Sequence, residues 1–125
     1  MRLHHVQLTL VPGGEAEARR FYAGVLGLPE IPKPPELAGR GGVWFCLGEV
    51  QLHFGVEAAS SPSRRHIAVQ VDDAAVTHAA FHAAGYATEE AVPLDGMRRF
   101  YCRDPFGNRT EILELRTRTA LKGPS

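Results

Sequence analysis

One arrangement of predicted elements occurs twice in this chain, at a spacing of about 60 residues. Alternating apolar residues predict a strand over residues 3–11 and another over 66–71. Each strand is followed by a predicted helix that ends at a glycine, Gly27 or Gly85. Short strands and a hairpin, over residues 43–54 and 100–113, close each half. Because neither half can bury one sheet face alone, the halves are expected to pair within the chain or across a dimer.

The duplication sets the predicted domain organisation. The 125 residues have the size of one ordinary domain. We predict a single domain over 1–125, with module 1 at about 1–57, a serine-containing linker at about 58–64, module 2 at about 65–116 and a polar tail at 117–125. Within module 2, a short strand is predicted at 91–95.

Charge and apolar content exclude several classes of partner. Fourteen basic residues balance fourteen acidic ones, so the chain lacks the broad positive field that binds nucleic acid or membrane surfaces. The apolar runs are too short to cross a bilayer, and the first residues have no signal-peptide pattern. Cys46 and Cys102 lie in apolar runs and are predicted to be buried thiols, with a disulfide as the alternative. These features predict a cytoplasmic protein without nucleic-acid or membrane partners.

Potential metal ligands lie on the polar faces of the predicted strands. His5 and His66 occupy the first strand of each module, and Glu111 occupies the last strand. If a pseudo-twofold relates the modules, these faces line one cavity, where two imidazoles and a carboxylate converge. That is a ligand set for Zn²⁺ or for a non-haem Fe(II) or Mn(II) site. Alternatively, His5 is a hydrogen-bonded cavity histidine without metal, and Glu111 pairs with Arg99.

Several further residues are candidates for the site or its surroundings. Arg99 and Tyr101 alternate on one strand and suit recognition of a carboxylate, phosphate or enediolate oxygen, but Arg99 could equally be exposed beside Arg98 on an edge strand. His4 is expected on the opposite face from His5. Further candidates are Gln51 and His53 on a shared strand face, Trp44 as cavity wall or core, and residues 32–42 as a flap. His78 and His82 are expected on a solvated helix face, with metal binding by this i, i+4 pair as the alternative.

Taken together, several segments resemble the vicinal-oxygen-chelate superfamily, which includes glyoxalases, bleomycin-resistance proteins and extradiol dioxygenases. The similarity covers about residues 3–115. The segments that carry it are His5-Val6-Gln7-Leu8, Phe21-Tyr22-Ala23-Gly24-Val25-Leu26-Gly27-Leu28, His66-Ile67-Ala68-Val69-Gln70-Val71-Asp72-Asp73, Ala83-Ala84-Gly85 and Arg103-Asp104-Pro105-Phe106-Gly107-Asn108-Arg109-Thr110-Glu111. The resemblance implies an α+β, glyoxalase-like fold, in which two βαβββ modules form a curved mixed sheet around a central cavity.

The same resemblance implies a set of metal ligands. Active members generally hold a divalent metal with residues from the first and last strands of each module. Carried over by position, the ligands fall on His5, His66 and Glu111. The remaining position, often glutamate in glyoxalase I-like members, falls on Gln51, which is a poor ligand. The set therefore resembles that of the three-ligand thiol transferases and dioxygenases, unless His53 takes this position.

By resemblance, the function is metal-assisted chemistry on a small substrate with vicinal oxygens. The ion would be Zn, Fe, Mn, Ni or Co, Glu111 or a metal-bound hydroxide would move protons, and Arg99, Tyr101, Gln51 and His53 would contact the substrate. Lyase, isomerase, thiol transferase and dioxygenase reactions are all compatible. The alternative is a drug-sequestering binding protein similar to bleomycin-resistance proteins. A homodimer is expected, with the site formed by one chain or shared by two.

Overall fold

The predicted order of elements is confirmed in both modules. The computed structural model describes residues 1–58 and 63–116, so most of the predicted linker and the whole predicted tail lie outside the described residues. Module 1 contains β1 (His5–Leu10), α1 (Glu15–Ala18) continued by a π-helical segment (Arg19–Val25), β2 (Glu30–Ile31), a 3₁₀ helix (Pro35–Arg40), β3 (Val43–Leu47) and β4 (Val50–Val56). Module 2 contains β5 (His66–Gln70), α2 (Ala74–Ala83), β6 (Thr88–Glu90), β7 (Met97–Arg103) and β8 (Arg109–Leu115).

Each module forms a four-stranded mixed sheet with the same connectivity. The strand orders are β1-β4-β3-β2 and β5-β8-β7-β6. In both sheets the first and last strands of the module pair in parallel, and the remaining pairs are antiparallel. A parallel pair requires a crossover connection, which the helix of each module helps to provide. The fold is therefore α+β, built from two βαβββ modules.

The core of module 1 lies between its helix and one sheet face. Phe21 and Tyr22 are fully buried although they are adjacent in sequence. Adjacent residues are buried together where the predicted α-helix becomes π-helical, and the amide of Leu26 donates to the carbonyl of Phe21 at 3.2 Å. The sheet contributes the fully buried side chains of Phe45 and Phe54. The glycine predicted to end this helix, Gly27, has the expected positive φ of 74°.

Module 2 packs a regular, capped α-helix on its sheet. The Asp73 carboxylate accepts hydrogen bonds from the amides of Ala75 and Val76, at 3.0 and 3.1 Å, which satisfies two donors at the helix start. The predicted strand at 91–95 is wrong: the edge strand is β6, three residues earlier, and it pairs with β7. Pro93 lacks an amide donor and follows the end of this ladder.

Both cysteines are free thiols, so the disulfide alternative is excluded. Cys102 is fully buried, as predicted, whereas Cys46 is half-buried. Burial raises the pKa of the Cys102 thiol to about 11, helped by the nearby carboxylates of Asp104 and Glu89. Cys102 therefore stays protonated at neutral pH and serves as a small apolar core residue.

Two compact units emerge from the internal contacts. Among the described residues, the first comprises residues 1–58 and the turn 105–108, and the second comprises residues 63–104 and 109–116. The turn joins the first unit because the Asn108 side-chain amide donates to the carbonyl of Thr9 at 2.9 Å. In the described part of the chain, no helix is long and apolar enough to cross a membrane.

Candidate functional site

The polar sheet face of module 1 carries the histidines. Register places His5 opposite Gln51 and Gln7 opposite His53 in the parallel pair of β1 and β4. The alternate β4 side chains, Leu52 and Phe54, are buried. Strand alternation therefore puts Gln51 and His53 on one face, as predicted.

His53 is the centre of an aromatic stack on this face. Its ring lies parallel to that of Trp44, with centroids 3.6 Å apart, and stacks on His5 at 4.2 Å. The Gln51 amide oxygen lies 2.9 Å from His53 Nε2 and can only accept, so Nε2 carries a proton. Burial lowers the pKa of His53, and the nearby His5 and His4 lower it further. The imidazole is thus neutral at pH 7, and Trp44 packs as a wall of this face.

His4 does not point away from this cluster. Its Nδ1 lies 2.9 Å from Nδ1 of His5, and the two rings meet edge to face. The prediction that they occupy opposite faces is wrong because β1 begins at His5. Strand alternation does not apply to the residue before it.

In module 2, His66 meets Glu111. His66 Nε2 lies 3.0 Å from Oε1 of Glu111, and its Nδ1 lies 3.1 Å from the carbonyl oxygen of Arg64. Glu111 is only 8% exposed. Its second oxygen, Oε2, accepts from Arg99 Nη1 at 3.3 Å. Both carboxylate oxygens therefore have partners that hold the group in one orientation.

Arg99 is a half-buried partner of this carboxylate rather than an exposed edge residue. Its Nη1 donates to the Tyr101 hydroxyl at 2.9 Å, and its Nε and Nη2 donate to the carbonyl of Val92. The hydrogen bond to Tyr101 raises the pKa of the Arg99 guanidinium, as does Glu111. Its side chain is 11% exposed, so the arginine is fixed in place beside Glu111.

A cavity of about 400 Å³ adjoins these groups in module 2. Its lining residues are Arg64, His66, Glu90, Ala91, Val92, Arg99, Tyr101 and Arg109. The guanidinium of Arg109 lies over the Tyr101 ring, 3.6 Å from the centroid. Arg109 lies on the same face of β8 as Glu111, and Arg64 precedes β5. Neither arginine was predicted as a site residue from the sequence.

The duplicated registers show which residues of the two modules correspond. His5 pairs with Gln51, and its counterpart His66 pairs with Arg109. Two residues further along each ladder, His53 takes the position that Glu111 has in module 2. By register, the counterpart of Glu111 in module 1 is therefore His53 and not Gln51.

The predicted site residues thus form one group in each module. His5, Gln51 and His53 lie together in module 1, and His66, Arg99, Tyr101 and Glu111 lie together in module 2. Within neither module do the described residues form a metal-holding group of three or more His, Cys, Asp or Glu side chains. His78 and His82 lie one turn apart on α2, with ring centroids 4.5 Å from each other. Their Nε2 atoms lie 2.9 and 3.4 Å from the Thr88 hydroxyl, outside both groups.

Comparisons with known proteins agree with this fold. The family model of the Glyoxalase/Bleomycin resistance protein/Dioxygenase superfamily matches residues 2–112, so the chain belongs to that superfamily. A solved glyoxalase family protein from Bacillus anthracis is 39% identical, with a TM-score of 0.84 over 92% of this chain and 95% of its own. No curated protein matched significantly.

Two more distant structures share the fold and differ in what their names describe. Lactoylglutathione lyase from Agrobacterium tumefaciens is 23% identical, with a TM-score of 0.67 over 90% of this chain and 92% of its own. The antibiotic-binding protein TnmS3 from Streptomyces sp. CB03234 is 15% identical, with a TM-score of 0.72 over 92% and 96%. An enzyme and a binding protein are therefore both among the structural relatives.

Proposed function

We propose that this protein is a divalent-metal-dependent enzyme that acts on a small substrate with two vicinal oxygens. His5, His66 and Glu111 would hold the metal, and His53 would be available as a fourth ligand. The ion would be Zn, Fe, Mn, Ni or Co, because neutral imidazoles with one carboxylate suit first-row divalent metals. The observation that carries the proposal is the contact between His66 and Glu111.

His66 has two acceptor oxygens as neighbours, and a neutral imidazole ring can donate to only one of them. The carbonyl of Arg64 can only accept, so Nδ1 of His66 must carry the proton that this hydrogen bond needs. In the neutral ring, Nε2 then presents a lone pair to a carboxylate oxygen 3.0 Å away. A second proton or a metal cation would relieve the repulsion. The backbone carbonyl behind His66 is also the kind of partner that orients metal-binding histidines.

The neighbouring residues define what the site can do to a substrate. A bound metal would stabilise negative charge that develops on a substrate oxygen. Arg99 holds Oε2 of Glu111, so Oε1 would contact the metal, and Glu111 would accept or return a substrate proton through Oε1 only while that oxygen is displaced from the metal. Arg99 and Tyr101 would donate hydrogen bonds to substrate oxygens. In module 1, Gln51 and His53 would contact the substrate, and the Trp44 ring would exclude water from His53.

The proposed reaction is a lyase, isomerase, thiol transferase or dioxygenase reaction. We also propose a cytoplasmic homodimer, with the site formed by one chain or shared by two. A non-catalytic binding protein is the second candidate, because TnmS3, an antibiotic-binding protein, has the same fold.

Binding of a chelating oxygen pair tests the proposed substrate chemistry. Protein loaded with Co(II) and dialysed would be titrated with acetohydroxamate, which has two vicinal oxygens, and with acetamide, which has one. We expect acetohydroxamate to change the visible Co(II) spectrum at saturation, and acetamide to leave it unchanged, because only the former can fill two open positions. The His82→Ala variant should behave like the wild type.

A wild-type spectrum that responds to neither compound would contradict an open metal position. In that case the binding-protein alternative would become the leading interpretation. Equal responses to both compounds would contradict the preference for vicinal oxygens while leaving an open metal position in place.

A further inference from the structure

The cavity in module 2 has more positive charge than its own residues neutralise. We propose that it binds an oxyanion, a carboxylate or a phosph(on)ate, through Arg109 and Arg64. This inference rests on the proposed function and adds to it the class of substrate, a small anion whose charged group is anchored beside His66. Neutral vicinal-oxygen compounds would then be poor substrates.

Arg109 is oriented by the protein but not neutralised by it. Its guanidinium packs on the face of Tyr101, 3.6 Å from the ring centroid, and Tyr101 itself accepts from Arg99. Among the described residues, Arg109 forms no ion pair, and its buried Nε has no hydrogen-bond partner. Stacking holds a guanidinium by its face and leaves the N–H groups on its edge free for a planar anion.

Arg64 supplies the second cation. It precedes β5, lines the same cavity, and forms no ion pair with any residue in the described ranges. Arg99, the third lining arginine, is already paired with Glu111. The remaining lining carboxylate is Glu90, so two unpaired guanidinium groups face one carboxylate. A cavity with this excess concentrates small anions.

The proposed anion would lie next to the reacting groups. Arg109 is opposite His66 in the β5–β8 register, and both line the cavity. A substrate held there by its charged group would therefore have its other end confined near His66 and Glu111. Anchoring a substrate through a group that does not itself react reduces the entropy lost in reaching the transition state.

Anion titration of metal-free protein tests the proposal separately from metal binding. After EDTA treatment and dialysis, titration calorimetry at fixed ionic strength would measure the binding of inorganic phosphate, of succinate and of succinamide, the neutral analogue of succinate. We expect saturable binding of at least one anion and none of succinamide. Arg109→Gln and Arg64→Gln should each weaken it by about 10- to 100-fold, the effect of losing a charge-assisted hydrogen-bonded pair.

The adjacent Arg65 provides a matched control, because it is exposed and does not line the cavity. Arg65→Gln should bind the anion like the wild type. Arg109→Lys keeps the charge but loses the planar guanidinium with its paired N–H donors, so it should bind the anion more weakly than the wild type. The preferred anion identifies carboxylate or phosph(on)ate as the natural group. Equal affinities in wild type, Arg109→Gln and Arg64→Gln, or equal binding of succinamide, would overturn the proposal. Anion binding by a protein that takes up no metal would contradict the proposed function and leave this inference standing.

Discussion

Glu111→Ala is expected to reduce the affinity for divalent metal by more than about 100-fold. Removing a partner that only orients a ligand already costs about 10- to 100-fold. Glu111 is proposed as a ligand itself, and it contacts both His66 and Arg99. A competition titration against a chromophoric chelator would give the affinities of wild type and variant.

Two variants make this result specific. Glu49→Ala removes an exposed carboxylate in the turn between β3 and β4 and should leave metal affinity unchanged. Glu111→Gln keeps the shape of the side chain and its ability to accept from Arg99, so it should preserve the fold while still losing metal. A Glu111→Ala affinity within threefold of the wild type would rule out Glu111 as a ligand.

Gly42→Ala is expected to lower the free energy of unfolding by about 3–5 kcal/mol, at the upper end of single-substitution effects. Gly42 has a φ of +89°, and an added Cβ would lie 2.1 Å from the carbonyl oxygen of Phe54. That oxygen belongs to β4, so the strand that carries His53 would have to move. The Gly42 amide also donates to Glu15 at 2.8 Å, a contact that the shift would disturb.

Gly39→Ala is the matched control for this effect. Gly39 lies three residues earlier, in the 3₁₀ helix Pro35–Arg40, has no positive φ, and has open space where a Cβ would be. Its unfolding free energy should stay within about 1 kcal/mol of the wild type, with a gain in stability expected from the less flexible unfolded chain. Urea unfolding of the three proteins gives the comparison. If the Gly42→Ala variant has the same unfolding free energy as the Gly39→Ala variant, the close approach of Gly42 to β4 does not constrain the fold.

The fold could be predicted because its signals are local and repeated. Alternating residues fix β1 and β5, and Gly27 and Gly85 mark where the two helical segments end. The π-helical segment could not be predicted, because it depends on burying Phe21 and Tyr22 together rather than on local preference. The edge strand of module 2 was misplaced because its short, polar sequence has no alternation to distinguish it.

The candidate site could be predicted by face but not by register. Period-two alternation puts Gln51 with His53, and Arg109 with Glu111, from sequence alone. Which residue of module 1 corresponds to Glu111 depends on the cross-strand pairing, and that pairing aligns His53 with Glu111. The stack of Trp44 on His53 likewise comes from neighbouring strands that sequence does not align.

Metal content tests the central claim most directly. Wild type, His66→Ala and the control His82→Ala would be incubated with Zn, Fe, Mn, Ni and Co in turn, dialysed, and measured by elemental analysis. We expect about one ion per chain in the wild type and in His82→Ala, as for a mononuclear site, and a loss of most of it in His66→Ala. A wild type that retains none of the five ions, or a His66→Ala variant that retains as much as the wild type, would contradict the proposed metal site.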